Sequence, residues 1–362
     1  FAPIEYYQDH ANRAAYYDLM TVYSLAPYRK VDRDQLARFS GRDGYYAVDP
    51  DDEDASADQP RKIYFSEVSY KRTFKIFQKD DSIEAVFVAT DAPSHPRHCI
   101  SVLEHGKHVA SAVPAVFGSL EDADRLLEAV KKSGLKYMMF ETSAFRNDCY
   151  AMRQVYRAGG FGQMIYTEGE YFHYTDTPID SYKNWRLGAP PQWYPTHANA
   201  YYTCVTGGTF THVSCLGMPS TAGRFQPGSN AYNNRFGTEV ALYQTSEGGM
   251  ARMVESRDIP GSHGEVGRVR GQKGSMFDMT YDGLVDISGV TLAKPPLPPN
   301  VEPGGHGGSH GYLCEEFVTA ILQDRAPLVD IVTALNTTVP GIVAHQSALK
   351  DGERMEVPQY SL

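Results

Sequence analysis

The run Ile83-Glu84-Ala85-Val86-Phe87-Val88-Ala89-Thr90, closed by Asp91-Ala92-Pro93-Ser94, constrains this chain more than any other feature. It is apolar on both faces and bounded by turn residues, which fits a strand covered on both sides. Helical spacing follows from Pro96 to Glu104, then a second strand at Lys107 to Pro114. Ser119-Leu120-Glu121-Asp122 opens a helix with apolar positions Ala123, Leu126, Leu127 and Val130, which Lys131-Lys132-Ser133-Gly134 closes. Tyr137-Met138-Met139-Phe140 is one more strand. Strands alternating with helices at this spacing make βαβ units and a parallel sheet.

Upstream, Glu5 to Tyr17 reads as a helix and Leu19 to Ser24 as a strand. A nucleotide-binding βαβ unit normally begins with a strand and a glycine-rich turn, and losing that central strand would strand the backbone groups of its neighbours. The expectation is therefore that roughly 10 to 40 further residues precede Phe1 in the parent polypeptide. Val48 to Gln59 is acidic and has no core positions, so it reads as a solvated loop.

The charge balance narrows the partners. Lys plus Arg total 34 against 44 Asp plus Glu, a formal charge of -10, which repels phosphate backbones and anionic lipid. Neither nucleic acid nor a membrane surface is an expected partner, and no apolar run is long enough to span a bilayer. The five cysteines are scattered without a Cys-x-x-Cys pair, so they read as buried thiols in a reducing, cytoplasmic setting. Export stays open at this stage.

Beyond Arg146 the texture changes. A helix at Asn147 to Arg157 stops at Gly159-Gly160, and Met164 to Tyr174 alternates as a strand. Ala200 to Val205, Phe210 to Leu216 and Val240 to Thr245 are also strand-like within a Gly-, Pro-, Asn- and Tyr-rich region. Pro295 to Asn300 is a rigid connector, and helices resume at Leu313 to Leu322 and Ile331 to Ala348. The fold class is α/β: a Rossmann-type parallel sheet over residues 1–145, its first strand and Gly-rich turn missing from the chain. An α/β domain with a large open mixed or antiparallel sheet then spans 146–362.

Several ordered pieces carry a resemblance: Ile83 to Thr90 with Ser94-His95, Leu103-Glu104-His105-Gly106-Lys107-His108-Val109, Pro114, Gly160-Phe161-Gly162-Gln163-Met164, and His306-Gly307-Gly308-Ser309-His310. Together they resemble the Gfo/Idh/MocA oxidoreductases. Two departures matter. The family's Glu-Lys-Pro is here Ala112-Val113-Pro114, without the lysine that lies near nicotinamide and substrate, and Trp193 stands where an Asp often precedes the acid/base histidine. Trp193-Tyr194-Pro195-Thr196-His197, with Trp185-Arg186 and Gly169 to His173, is most similar to the branch of NAD-dependent alpha-N-acetylgalactosaminidases. In that branch NAD transiently oxidises C3 of a sugar so that the glycosidic bond is lost by elimination. Phe145-Arg146 departs from that branch, which has tyrosine before the arginine.

What the resemblance implies is a pyridine-nucleotide enzyme acting on a sugar, with His197 as acid/base and Tyr194 as its partner. Its net reaction, oxidation or redox-assisted cleavage, stays open, and so does a non-catalytic binding or scaffold role. The expected cofactor contacts are Ser24, Arg29, Thr90, Ala92, His95, Ala112, Val113 and Pro114. Ser24 replaces the acid that usually holds the ribose 2′-OH, and with Arg29 and Lys30 behind it leans the choice between NAD and NADP towards NADP. Expected substrate contacts are Phe145, Arg146, His173, Trp185, Arg186, His306 and His310. The competing reading of His197 is a structural histidine bonded to a loop carbonyl. His306 and His310 read as a cleft-lining turn in preference to a metal pair, since no third ligand has matching spacing. The resemblance also implies a homodimer or homotetramer.

Overall fold

The computed structural model describes the backbone strand at residues 19–23 and residues 83–362, apart from 175–183, 262–263 and 299–300. Ser24, Arg29 and the acidic stretch 48–59 lie outside the described residues.

The first sheet has the order β1 (Leu19–Tyr23), β2 (Ala85–Ala89), β3 (His108–Ser111), β4 (Tyr137–Met139). Strands β2, β3 and β4 are parallel, as the βαβ spacing requires. β1, read from the sequence only as a further strand, pairs antiparallel with β2, Leu19 opposite Ala89. The edge of β2 offers unpaired backbone groups, and β1 satisfies them. Helix α1 (His95–Glu104) and helix α2 (Leu120–Ser133) make the crossovers. In α2 the Ser119 hydroxyl accepts the Asp122 N–H at 3.1 Å, and Gly134 closes the helix at φ 66°. Its buried stripe is Ala123, Leu126, Leu127 and Val130, each Leu or Val contributing about 1.5 to 3 kcal/mol on burial.

Among the described residues the second sheet has eight strands, one edge being the short strand β12 (Met355–Glu356). β5 (Met164–Phe172) lies parallel to β8 (Met250–Ser256) and antiparallel to β9 (Gly264–Gly271). β6 (Phe210–Pro219) and β7 (Phe236–Thr245) extend the sheet on one side, and β10 (Gly274–Phe277) and β11 (Thr280–Gly283) on the other. The sheet is mixed. In β7 Ala241 and Tyr243 are buried while Val240 and Leu242, alternating with them, are exposed, so one face meets the core and the other is open. Helix α3 (Asn147–Arg157) links the sheets.

The residues 200–205 correct an expectation: they belong to helix α4 (Thr196–Thr206). Ten of its residues, Thr196 to Val205, are buried, so the helix shows no polar face from which a 3.6-residue period could be read. Its Tyr, Thr and Val content looks strand-like locally, and tertiary packing overrides that preference. Glycines in the sheet let α4 lie close. A Cβ on Gly169 would sit 2.2 Å from the Ala198 carbonyl oxygen, and one on Gly267 1.9 Å from the Tyr201 ring. The remaining helices, α5 (His310–Leu322) and α6 (Ile331–Ala348), follow the expected bounds closely.

Candidate active site

β2, β3 and β4 end on the same side of the parallel sheet, so the turns after them converge where open α/β sheets bind ligands. The turn after β4 carries Glu141, Thr142 and Ser143. Helix α4 brings His197 to meet them, and His197 Nδ1 donates to Glu141 Oε1 at 2.7 Å. Ser143 N also donates to Glu141 Oε1 at 2.8 Å, and Thr142 Oγ1 lies 3.4 Å from His197 Nδ1. Glu141 is fully buried and His197 nearly so. Burial pushes the imidazolium towards its neutral form, but Glu141 and then Glu265 outweigh it and raise the His197 pKa to about 9. Burial likewise works against the Glu141 carboxylate, and His197 reverses it, holding Glu141 below its ordinary value. The pair is ionic, with Nε2 the ring nitrogen not engaged by Glu141.

A second buried pair fixes the approach to this site. His345 Nδ1 donates to Glu239 Oε1 at 2.6 Å, and Glu239 Oε2 accepts from Gln192 N at 2.8 Å. This holds the Pro191–Trp193 turn against β7 and α6, immediately before Tyr194. Trp193, at the position of the family's Asp, packs instead against Phe117 and His345 at 5.2 and 5.5 Å between ring centroids.

Tyr171 and Tyr194 lie against the His197 ring at 4.6 and 5.6 Å. Both also line a cleft with His173, Trp185, Arg186, Arg224 and Arg257. The structure thus brings His197, Tyr194, His173, Trp185 and Arg186 together. Arg146, His306 and His310 adjoin this site through Glu265, and the His197 charge acts on His306, while Lys294 Nζ bridges the Phe145 and Gly308 carbonyls. Arg146 Nη1 pairs with Glu265 at 3.3 Å, Gly307 abuts Arg146, and His306 Nδ1 shares a 2.7 Å hydrogen bond with His310 Nε2. Burial lowers the pKa of both imidazoles, that of His310 to about 4, so this is a neutral pair. Among the described residues no group of three or more His, Cys, Asp or Glu is placed to hold a metal ion.

Of the expected cofactor contacts, Ala112 is half-buried at the end of β3, and Val113 and Pro114 are buried beside it. Thr90, Ala92 and His95 are buried. The His95 ring spans two carbonyl oxygens, those of Pro114 at 2.9 Å and Thr90 at 3.0 Å, so it ties the two turns together and its nitrogens are both engaged. The parallel strand ends, the α1 N-terminus behind Ser94 and the half-exposed Ala112 fit the nicotinamide half of a dinucleotide.

Sequence reasoning missed Glu141, Tyr171, Arg224, Arg257 and Glu265. Glu141 did leave a signal, a lone carboxylate directly after a buried parallel strand, where such folds place functional groups. The others come together only through the second sheet.

The fold and site define a two-sheet α/β protein of the dinucleotide-binding class. Residues 46–141 match the family model GFO_IDH_MocA, described as an oxidoreductase family with an NAD-binding Rossmann fold. The chain therefore carries a Gfo/Idh/MocA domain, and it has homologues named glycosyl hydrolase family 109 proteins. One, from Stenotrophomonas maltophilia, is 22% identical over 85% of this chain and 79% of its own length. An alpha-N-acetylgalactosaminidase from Bacteroides fragilis is 32% identical over 26% of this chain and 22% of its own length. In fold the chain is similar to levoglucosan dehydrogenase in complex with NADH and levoglucosan, with a TM-score of 0.64 at 17% identity, covering 79% of this chain and 83% of that one.

Proposed function

We propose that this chain is an NAD(H)-dependent enzyme acting on a sugar, with His197 as acid/base and Tyr194 as its partner. The observation that carries this reading is the buried Glu141–His197 ion pair, set at the carboxyl ends of the parallel strands and walled by Tyr171 and Tyr194. A bound nicotinamide would supply hydride transfer, with Ala112, Val113 and Pro114 holding it. Glu141 fixes the ring orientation and keeps His197 protonated at neutral pH, so His197 starts as a proton donor at Nε2. It would stabilise negative charge growing on a substrate oxygen, or protonate a leaving group, and recover the proton afterwards. The Tyr171 and Tyr194 rings keep water from the imidazole.

Two net reactions share this machinery. Val113 in place of the family's lysine favours redox-assisted glycoside cleavage over plain dehydrogenation, because no ammonium stands ready to take the hydroxyl proton at that position. The test is a panel of free sugars and aryl glycosides with the nucleotide-loaded protein. Release of the aglycone without net change in nicotinamide absorbance supports cleavage, and stoichiometric NADH supports dehydrogenation. Bound nucleotide with no turnover on either class would leave only the binding-protein role.

Three finer points belong to the same reading. Preference between NAD and NADP turns on Ser24 and Arg29, and Ser24→Asp should shift it towards NAD because a carboxylate repels a 2′-phosphate. All five cysteines are free thiols, which suits a reducing compartment such as the cytoplasm. Leu216, Val240, Leu242 and Met250 are exposed on the large sheet, an apolar face that suits a homodimer or homotetramer.

A further inference from the structure

We propose that Tyr171 is a catalytic residue of this site, its hydroxyl donating a hydrogen bond to the same sugar oxygen that His197 serves. This rests on the reading of the chain as a sugar-acting enzyme and adds a second donor to it.

The strand register fixes where Tyr171 stands. On the large sheet it lies opposite Glu255 of β8 and Glu265 of β9, and Glu255 lies opposite Glu239 of β7. Residues directly opposite one another share a face, so Glu239, Glu255, Tyr171 and Glu265 form one row across four strands. The three carboxylates of that row are committed to protein partners. Glu239 accepts from His345 and Gln192, Glu255 from Arg257 Nη2 at 3.2 Å, and Glu265 from Ser143 Oγ at 2.9 Å and Arg146 Nη1 at 3.3 Å. The Tyr171 hydroxyl is the exception: among the described residues no hydrogen bond reaches it.

Its ring, in contrast, is held from three sides. The His197 ring meets it edge-on at 4.6 Å, the Tyr194 ring stacks on it at 6.3 Å with 25° between the planes, and the Arg257 guanidinium lies over it at 4.7 Å. A tyrosine packed this way ordinarily pairs its hydroxyl with the protein. Tyr171 instead lines the cleft with His173 and Tyr194, where a bound sugar can meet the hydroxyl. Burial pushes the phenol up from its ordinary value, against the pull of Arg257, so the hydroxyl keeps its proton at neutral pH and acts as a donor. His197 is a donor at Nε2 as well. Two donors meeting on one oxygen suit an atom on which negative charge grows in the reaction, because fixed donors lower the cost of that charge without having to reorganise. No proton leaves Tyr171 in this step: its O–H bond stays intact and only the hydrogen bond strengthens.

The test is Tyr171→Phe, which keeps the ring and removes one oxygen. On the full chain loaded with NAD, and with the free sugar or aryl glycoside that the wild type turns over, kcat should fall about 10²-fold while KM changes less than about threefold, because the lost donor serves developing charge and not ground-state binding. The melting temperature should match that of the wild type, since the hydroxyl has no protein partner to lose, and the His197 imidazole should titrate unchanged by NMR. Wild-type kcat in the folded variant would overturn the assignment and leave the sugar reading intact. So would a rise in KM alone, which marks uniform binding, or a moved His197 titration, which marks a positioning residue acting through the imidazole. Failure to fold would reveal a protein partner for the hydroxyl and overturn it as well. If the wild-type chain turns over neither free sugars nor aryl glycosides, the sugar reading falls and this assignment with it.

Discussion

His197 Nδ1 and Glu141 Oε1 lie 2.7 Å apart where neither side chain is more than 5% exposed. One residue comes from the turn after a strand of the parallel sheet and the other from a helix packed on the mixed sheet. Their bond therefore reports on how the two sheets are docked.

Replacing the carboxylate tests what holds the charge. In Glu141→Gln an amide can still accept from Nδ1, but the negative charge is gone, so the His197 pKa should fall from about 9 towards its ordinary 6.5. Turnover at neutral pH should drop about 10²-fold. Imidazole titration by NMR and the pH–rate profile check this together, and an unmoved titration would show that Glu265 dominates.

Removing the imidazole separates chemistry from binding. His197→Gln should lower kcat by about 10²- to 10⁴-fold, the range for loss of a general acid/base, while nucleotide affinity stays nearly unchanged. Both His197→Gln and His197→Ala should also destabilise the fold, by about 3 to 5 kcal/mol for the alanine, because Glu141 would be left as an uncompensated buried charge. Chemical denaturation reads this second effect, and wild-type stability in both variants would argue against an ionic pair.

The pair also sets a pH window for stability. The folded pKa of His197 is raised, so its contribution is complete below its ordinary 6.5 and is lost as pH rises through about 9. Glu141 is held low, so its contribution is complete above its ordinary 4.5 and is lost as pH falls below that value. Melting temperatures of the wild type and His197→Gln should differ most between these limits and converge on the alkaline side near pH 9. A gap that stays constant across that alkaline limb would sink the assignment.

Gly169→Ala probes the docking of α4. The new Cβ would stand 2.2 Å from a backbone oxygen that no side-chain rotamer can move. The expected cost is about 1 to 3 kcal/mol, with reduced activity because α4 carries His197. Gly134→Ala is the contrast: its Cβ meets open space, so any loss there comes from the left-handed backbone at φ 66° and should leave kcat unchanged.

Val113→Lys tests the family departure. Val113 is 9% exposed and packs in the core, so a new ammonium there lacks both water and a partner, Ala112 offering none. Stability and native activity should both fall. A gain of nicotinamide-linked sugar oxidation would instead mark the protein as a dehydrogenase missing only its lysine.

The sequence by itself determined the parallel strands Ala85–Ala89, His108–Ser111 and Tyr137–Met139 and the helices between them, because each buries a full face or stripe and ends in local signals such as Ser119 and Gly134. It also singled out Tyr194 and His197 through their motif. Tertiary structure alone decided the antiparallel course of Leu19–Tyr23 and the helical state of Thr196–Thr206, since an open strand edge and complete burial are properties of neighbours that no local window contains. The charge state of His197 was likewise decided there. Glu141 and Glu265 lie 56 and 68 positions away along the chain, and only the docking of two sheets brings them onto one buried ring, where low polarisability strengthens their combined field enough to outweigh the cost of burial.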